Sequence, residues 1–351
     1  MRYGFWLPIF GGWLRNVPDE GMPATYEYAR RVARRAEQIG YDLTLVAELY
    51  LNDIKGVRAP SLEAWTVASA LAEATERLEL MVAVRPTFHP PAIFAKQAAQ
   101  LDEVSGGRLS LNVVSSWWQD EARRFGVRFD AHDDRYARTA EWLDVLDGAW
   151  RASDFCYRGD YYQVEDTVVA PGPQSRPGRP RPTVYAGGES EAARALIAGK
   201  CDAYVMHGDP EDVVAGRVAD MRARREASGL PPMTFGMAAY SIVRDTEAEA
   251  QRELARITDV REGSPGFANY QDWVRNTVHQ APTSLADYSV SNRGLRPGLV
   301  GTPGQVAERV RAYEAAGVDF LLLQCSPQLE EMERFAEQVM PLVGAPPAGG
   351  T

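Results

Sequence analysis

The chain has 351 residues, 45 % hydrophobic and 25 % charged, the composition of a globular protein long enough to bury an extensive core. A formal net charge of −10 argues against nucleic acid or an anionic membrane surface as a partner. Cys156, Cys201 and Cys325 are far apart and form no C-x-x-C pair, so neither a disulfide framework nor a metal centre is expected.

Residues 3–9 read as a strand, and the stretch MRYGFWLPIFGGWLRN around it lacks the long apolar core of a signal peptide. No apolar run reaches the length of a membrane span, so a reduced, cytoplasmic protein is expected. An amphipathic helix over 25–39 stops at Gly40, and a short apolar strand occupies 42–47. APSLEAW at 59–65 opens the next helix, with Ser61 as its N-cap. A strand over 78–85 ends at Pro86, and a helix over 91–104 follows Pro90 and Pro91. The fourth strand runs through Leu109–Val113, followed by a long helix over 134–151 and an irregular stretch rich in Pro, Gly and Tyr at 152–182. Further strands at 182–188, 201–206, 234–243 and 319–325 alternate with helices at 190–198, 211–228, 246–261 and 329–342. Eight strands alternating with helices predict an α/β fold, a (β/α)8 TIM barrel in one domain over 1–343, with insertions at 152–182 and 263–300 and a disordered tail at 344–351. A doubly wound sheet is the runner-up, weakened because no G-x-G-x-x-G follows the first strand.

Side chains alternate along a barrel strand between the interior and the helix layer. Leu109, Leu111 and Val113 suit the helix layer, which turns Ser110 and Asn112 inward and sets Asn112 near the C-terminal mouth where barrel enzymes react. Other strand ends carry Ala47-Glu48, Arg85-Pro86-Thr87-Phe88-His89 and Gly187-Gly188-Glu189-Ser190. Two glycines and a serine opening a helix suit a phosphate, or a tight turn with Ser190 as an ordinary N-cap. Arg135 and Tyr136 bring a cation and a phenol to the start of the helix after strand four, where solvated charges are the plainer alternative.

The segments RLSLNVVSSWW with its following Glu, HDDRYARTAEWLDVL, YAGGES and LVGTP…ERVRAYEAAGVDFLLL together resemble the bacterial-luciferase-like flavin monooxygenases. The opening YGFWLPIFGGWLRN, with AELYLNDIKG and VAVRPTFHPP, resembles the reduced-FMN-dependent branch that acts on organosulfur compounds, nearest to its members that oxidise dimethyl sulfone. The resemblance spans residues 3–343. It implies an enzyme using FMN as FMNH2 from a separate NAD(P)H:FMN reductase, with O2 and a small organosulfur substrate, assembled as a homodimer or homotetramer. Cleavage of a C–S bond of dimethyl sulfone would yield methanesulfinate and formaldehyde.

By matching positions, the resemblance places Ala47, Glu48, Asn112 and Glu121 by the flavin ring and Arg135, Tyr136, Gly188 and Ser190 by its phosphate. Trp6, Phe10, Trp13, Phe88, Trp117 and Trp118 are candidate substrate walls, with core packing the expected role of at least half of the tryptophans. Arg85 and His89 are candidate catalytic groups, with a purely structural histidine the alternative, as are Tyr240 on strand seven and Arg296, which with Arg293 lies in an insertion that could act as a lid or simply carry solvated arginines. The related alkanesulfonate enzymes carry an Arg and a His on strand seven where this chain has Ala238 and Tyr240, and a Cys and a Tyr near Ser61 and Ser326. Loss of that cationic pair favours a neutral substrate. The alternatives are a short alkanesulfonate as substrate, a deazaflavin-dependent oxidoreductase, and a flavin-binding protein without catalysis.

Overall fold

A computed structural model describes residues 1–15, 17–259 and 289–344. The tail from residue 345 and the part of the expected lid before Ser289 lie outside the described residues. Eight parallel strands close into a barrel: β1 (Arg2–Trp6), β2 (Leu43–Val46), β3 (Glu79–Val84), β4 (Leu109–Val113), β7 (Thr183–Ala186), β8 (Ala203–Met206), β9 (Thr234–Tyr240) and β12 (Phe320–Gln324). Their order around the barrel is β1-β12-β9-β8-β7-β4-β3-β2, so the first and last strands meet. The TIM barrel is therefore the observed fold.

Each strand is covered on both faces, which is why it reads as a nearly continuous apolar run. The inner layer includes Leu43, Leu45, Met81, Tyr185, Val205, Phe320 and Leu322. The outer layer includes Leu109, Leu111 and Val113, packed under the helices. Phe320 fits inside because its register partner on β9 is Gly236: a Cβ there would collide with the Phe320 ring.

The helices start where side chains satisfy their first amide groups. Thr25 accepts from Tyr28 N ahead of α1 (Tyr26–Gln38), and capping boxes precede α8 (Glu247–Thr258) and α9 (Pro303–Ala315). Helix α2 (Ala64–Ala74) begins later than expected from the sequence. Glu63 caps it through Trp65 N and Thr66 N, while the Ser61 hydroxyl donates to Tyr50 O at 3.2 Å.

Three further departures are local. A short helix α4 (Gln119–Arg124) precedes α5 (His132–Arg151), which starts two residues before the expected 134. The stretch read as irregular holds an antiparallel hairpin, β5 (Phe155–Arg158) with β6 (Gln163–Thr167), largely exposed and therefore without a clean apolar alternation. The strand expected over 234–243 breaks at Ser241: β10 (Ile242–Val243) leaves the barrel and pairs with β11 (Val300–Gly301). Among the described residues no helix is long and apolar enough to cross a membrane.

Candidate active site

A cavity of about 250 Å³ opens at the C-terminal mouth of the barrel. Its floor is the top layer of barrel side chains, including Trp6, Leu45, Ala83, Asn112, Ala238 and Gln324. The two alanines leave the space. Asn112 lines this floor because the alternation of β4 turns it inward while Leu111 and Val113 pack outward.

One wall is built by the turn between β7 and α6 (Glu191–Lys200). Gly187 has to be glycine: a Cβ there would stand 2.7 Å from Val205 O. At Gly188 a Cβ would stand 2.6 Å from Ala193 Cβ and 3.3 Å from the Tyr136 hydroxyl. The Tyr204 hydroxyl donates to Gly188 O at 2.9 Å and fixes the turn from below. Ser190 is the N-cap of α6, accepting from Ala193 N at 3.2 Å, and it also lines the cavity. The N-cap reading of GGES therefore holds, and the same residue faces the cavity. Burial pushes the Tyr136 phenol up, opposed by its hydrogen bond with Ser190 and by Arg135. Arg135 donates to Ser115 O at 3.1 Å and Asp130 O at 2.9 Å. A hydroxyl, a phenol, an arginine and a helix N-terminus around a glycine turn form a donor set suited to a phosphate.

The opposite wall centres on Arg85. Glu48 accepts its backbone N–H at 2.7 Å and faces its Nε at 3.4 Å, Glu121 takes its Nη1, and its guanidinium lies 4.1 Å above the Phe88 ring. Glu121 also accepts from Tyr50 N at 2.7 Å and Leu51 N at 3.1 Å. His89 Nε2 lies 2.6 Å from Glu48 Oε1.

Phe10, Trp13 and Trp117 complete the apolar wall. Trp117 stacks at 3° on Trp118, itself only 1 % exposed. On the rim, Arg15 pairs with Asp53 at 2.9 Å. Arg293, in a left-handed conformation that costs backbone strain, pairs with Glu189 and with Asp209 at 2.9 Å. Arg217 bridges the same two carboxylates. Burial pushes the Glu189 carboxyl up, but His207, Arg293 and Arg217 more than reverse this and hold it at about 2.

The cavity thus brings together Trp6, Phe10, Trp13, Ala47, Glu48, Arg85, Asn112, Trp117, Arg135, Tyr136, Gly188 and Ser190. Six expected site residues are not among its lining, one of them Trp118, which is buried in a stack against Trp117. Glu121, Phe88 and His89 stand behind it and hold Arg85 and Glu48 in place. Tyr240 is 1 % exposed in the core, on the strand whose end bends out of the barrel. Arg296 is drawn to Asp209 at 2.9 Å. Sequence reasoning missed Gln324, His207 and the Arg15–Asp53 pair. Gln324 and His207 are the polar residues closing the runs FLLLQ and AYVMH, and applying the strand-end rule to every strand would have found them.

A family model described as luciferase-like monooxygenase matches residues 1–319. The chain is 33 % identical, over 354 aligned positions, to an FMNH2-dependent dimethylsulfone monooxygenase of Pseudomonas putida, covering 98 % of this chain and 95 % of that protein. It is 31 % identical to a protein of the same description from Pseudomonas fluorescens (strain Pf0-1), covering 98 % and 94 %. Its fold is similar to that of a long-chain alkane monooxygenase, with a TM-score of 0.82 at 20 % identity over 97 % of this chain and 90 % of the other.

Proposed function

The chain belongs to the luciferase-like monooxygenase family, and from that premise we propose that it is an FMNH2-dependent monooxygenase cleaving a C–S bond of dimethyl sulfone. The flavin arrives reduced from a separate NAD(P)H:FMN reductase. Ser190, Tyr136, Arg135 and the turn at Gly187 and Gly188 would hold its phosphate, and Asn112, Ala47 and Glu48 would border its ring. The bound cofactor supplies activated oxygen: dimethyl sulfone, O2 and FMNH2 become methanesulfinate, formaldehyde, FMN and water.

This chain's residues bind, orient and dehydrate. Arg85 is pinned by two carboxylates and by Phe88, and its Nη2 is buried with no partner among the described residues, so it presents a fixed donor to the ring side of the cavity. Phe10, Trp13 and Trp117 exclude water from the reacting face.

The charge of the lining supports a neutral substrate. Among the described residues, Arg15, Arg85, Arg135 and Arg293, with His207 beside Glu189, face Glu48, Asp53 and Glu189, a surplus of one to two positive charges. A phosphate of close to two negative charges uses that surplus. A sulfonate anion would add a further negative charge with no cation left to meet it, whereas a sulfone adds none.

The test supplies photoreduced FMN, O2 and either dimethyl sulfone or methanesulfonate. Formaldehyde and methanesulfinate in equal amounts from the sulfone are the expected result. Formaldehyde no higher than in the flavin-only control would reject the reading, and sulfite from methanesulfonate alone would replace it with the anionic substrate.

A further inference from the structure

The floor of the cavity holds two buried hydrogen-bond donors that nothing among the described residues satisfies: Gln324 Nε2 and Trp6 Nε1. Gln324 is only 2 % exposed. They belong to adjacent strands. The pairing of Phe5 with Leu323 places Trp6 and Gln324 side by side, one residue further toward the mouth, and both line the cavity. Of their neighbours on this floor, Leu45, Ala83, Val205 and Ala238 carry no side-chain acceptor, and Asn112, which does, bonds to neither donor. A buried donor left without an acceptor is costly, and one that faces an open cavity can be satisfied there by a ligand.

Resting on the sulfone reading above, we infer that Gln324 and Trp6 form a clamp for the sulfonyl oxygens of the substrate and set its specificity. A sulfone has two strong acceptors and no donor, the complement of an indole N–H beside an amide N–H. The methyl groups then face Leu45, Val205 and Ala238. A sulfide of the same size fills the apolar space but leaves both donors unpaired, so the clamp selects by oxidation state at sulfur. The carbonyl oxygens of a flavin ring are acceptors too, and the experiment separates the two sources.

Gln324→Leu removes the amide at similar volume, and Trp6→Phe removes the indole N–H while keeping an aromatic ring. Each is expected to raise KM for dimethyl sulfone about tenfold, with kcat and the Kd of oxidised FMN within about twofold. KM for dimethyl sulfide is expected to stay where it was. Saturation-transfer NMR on the FMN-loaded protein is expected to lose the sulfone methyl signal in both variants, a readout independent of turnover. If Gln324→Leu fails to hold the wild-type melting temperature, Gln324→Met and Trp6→Phe carry the comparison. An unchanged KM and an intact methyl signal in both variants would overturn the clamp. So would a rise in the FMN Kd matching the rise in KM, which would assign the donors to the flavin. Absence of sulfone turnover with a wild-type methyl signal that both variants lose would reject the proposed reaction but keep the clamp; absence of any wild-type signal would reject the clamp.

Discussion

His89 Nε2 lies 2.6 Å from one oxygen of Glu48, and the other oxygen of Glu48 accepts the backbone N–H of Arg85 at 2.7 Å. The histidine therefore reaches the cavity only through Glu48. Breaking a buried ion pair from one side costs more than losing a supporting hydrogen bond. Glu48→Ala is expected to destabilise the protein by about 3 kcal/mol and to lower turnover at least tenfold. His89→Ala should cost about 1 kcal/mol and less than tenfold in turnover. Thermal melts and formaldehyde assays on both variants give the ranking. A larger loss of turnover from His89→Ala would return the histidine to a direct role.

Glu189 gives a pH dependence. Its carboxyl is held at about 2 in the folded protein, below the ordinary 4.5, by His207, Arg293 and Arg217 against the pull of burial. A depressed carboxyl contributes stability that is full above the unfolded value and is lost as pH falls through the folded one. The contribution is about 3 kcal/mol at neutral pH, declining between roughly pH 5 and 2. Urea unfolding across that range should show the slope, and Glu189→Gln should flatten it. An identical slope in the variant would place the acid sensitivity elsewhere.

Ser190 and Tyr136 separate capping from ligand binding. Ser190→Ala removes the cap of α6 and should cost about 1 kcal/mol of stability. If the hydroxyl also holds the phosphate, FMN affinity falls about tenfold. Tyr136→Phe removes a hydroxyl that serves no helix cap and should lower FMN affinity with little change in melting temperature. Because burial raises the Tyr136 phenol, it stays protonated, and this loss should be the same from pH 6 to pH 9. Fluorescence titration with FMN reads both effects. Unchanged affinity in both variants would remove this wall from the phosphate site.

The alternation in β4 was enough to turn Asn112 inward, because a two-residue period maps directly onto the two faces of a barrel strand. GGES was legible for a similar reason: its glycines mark a place where Val205 O and Ala193 leave no room for a Cβ. His89 and Phe88 were misplaced because the 3-10 turn Pro86–Phe88 carries them behind the wall, and a short turn has no side-chain period to read. Tyr240 was misplaced because β9 runs into a break at Ser241 that an unbroken apolar stretch, AAYSIV, conceals. Ser61 reads as a cap by residue type, yet its hydroxyl goes to Tyr50 O, eleven positions back along the chain, a contact without local signature. Gln324 closes an apolar run and looks like its end, when it is the one polar group of that strand facing the floor.

Gly236 and Phe320 supply the last prediction, one layer below the site. They are register partners on β9 and β12, and the ring occupies the space a side chain at 236 would need. Gly236→Ala alone forces the ring off its position and should destabilise by about 2 kcal/mol, as overpacking does. Phe320→Leu alone leaves a gap inside the barrel and should cost about 1 kcal/mol. Together the methyl group enters the space the ring vacated, so the double variant should be more stable than the sum of the two losses by about 1 kcal/mol or more. Denaturant melts of the four proteins measure that coupling. Strict additivity would mean the barrel relieves the clash by moving its backbone, and the glycine would then be there for some reason other than the ring.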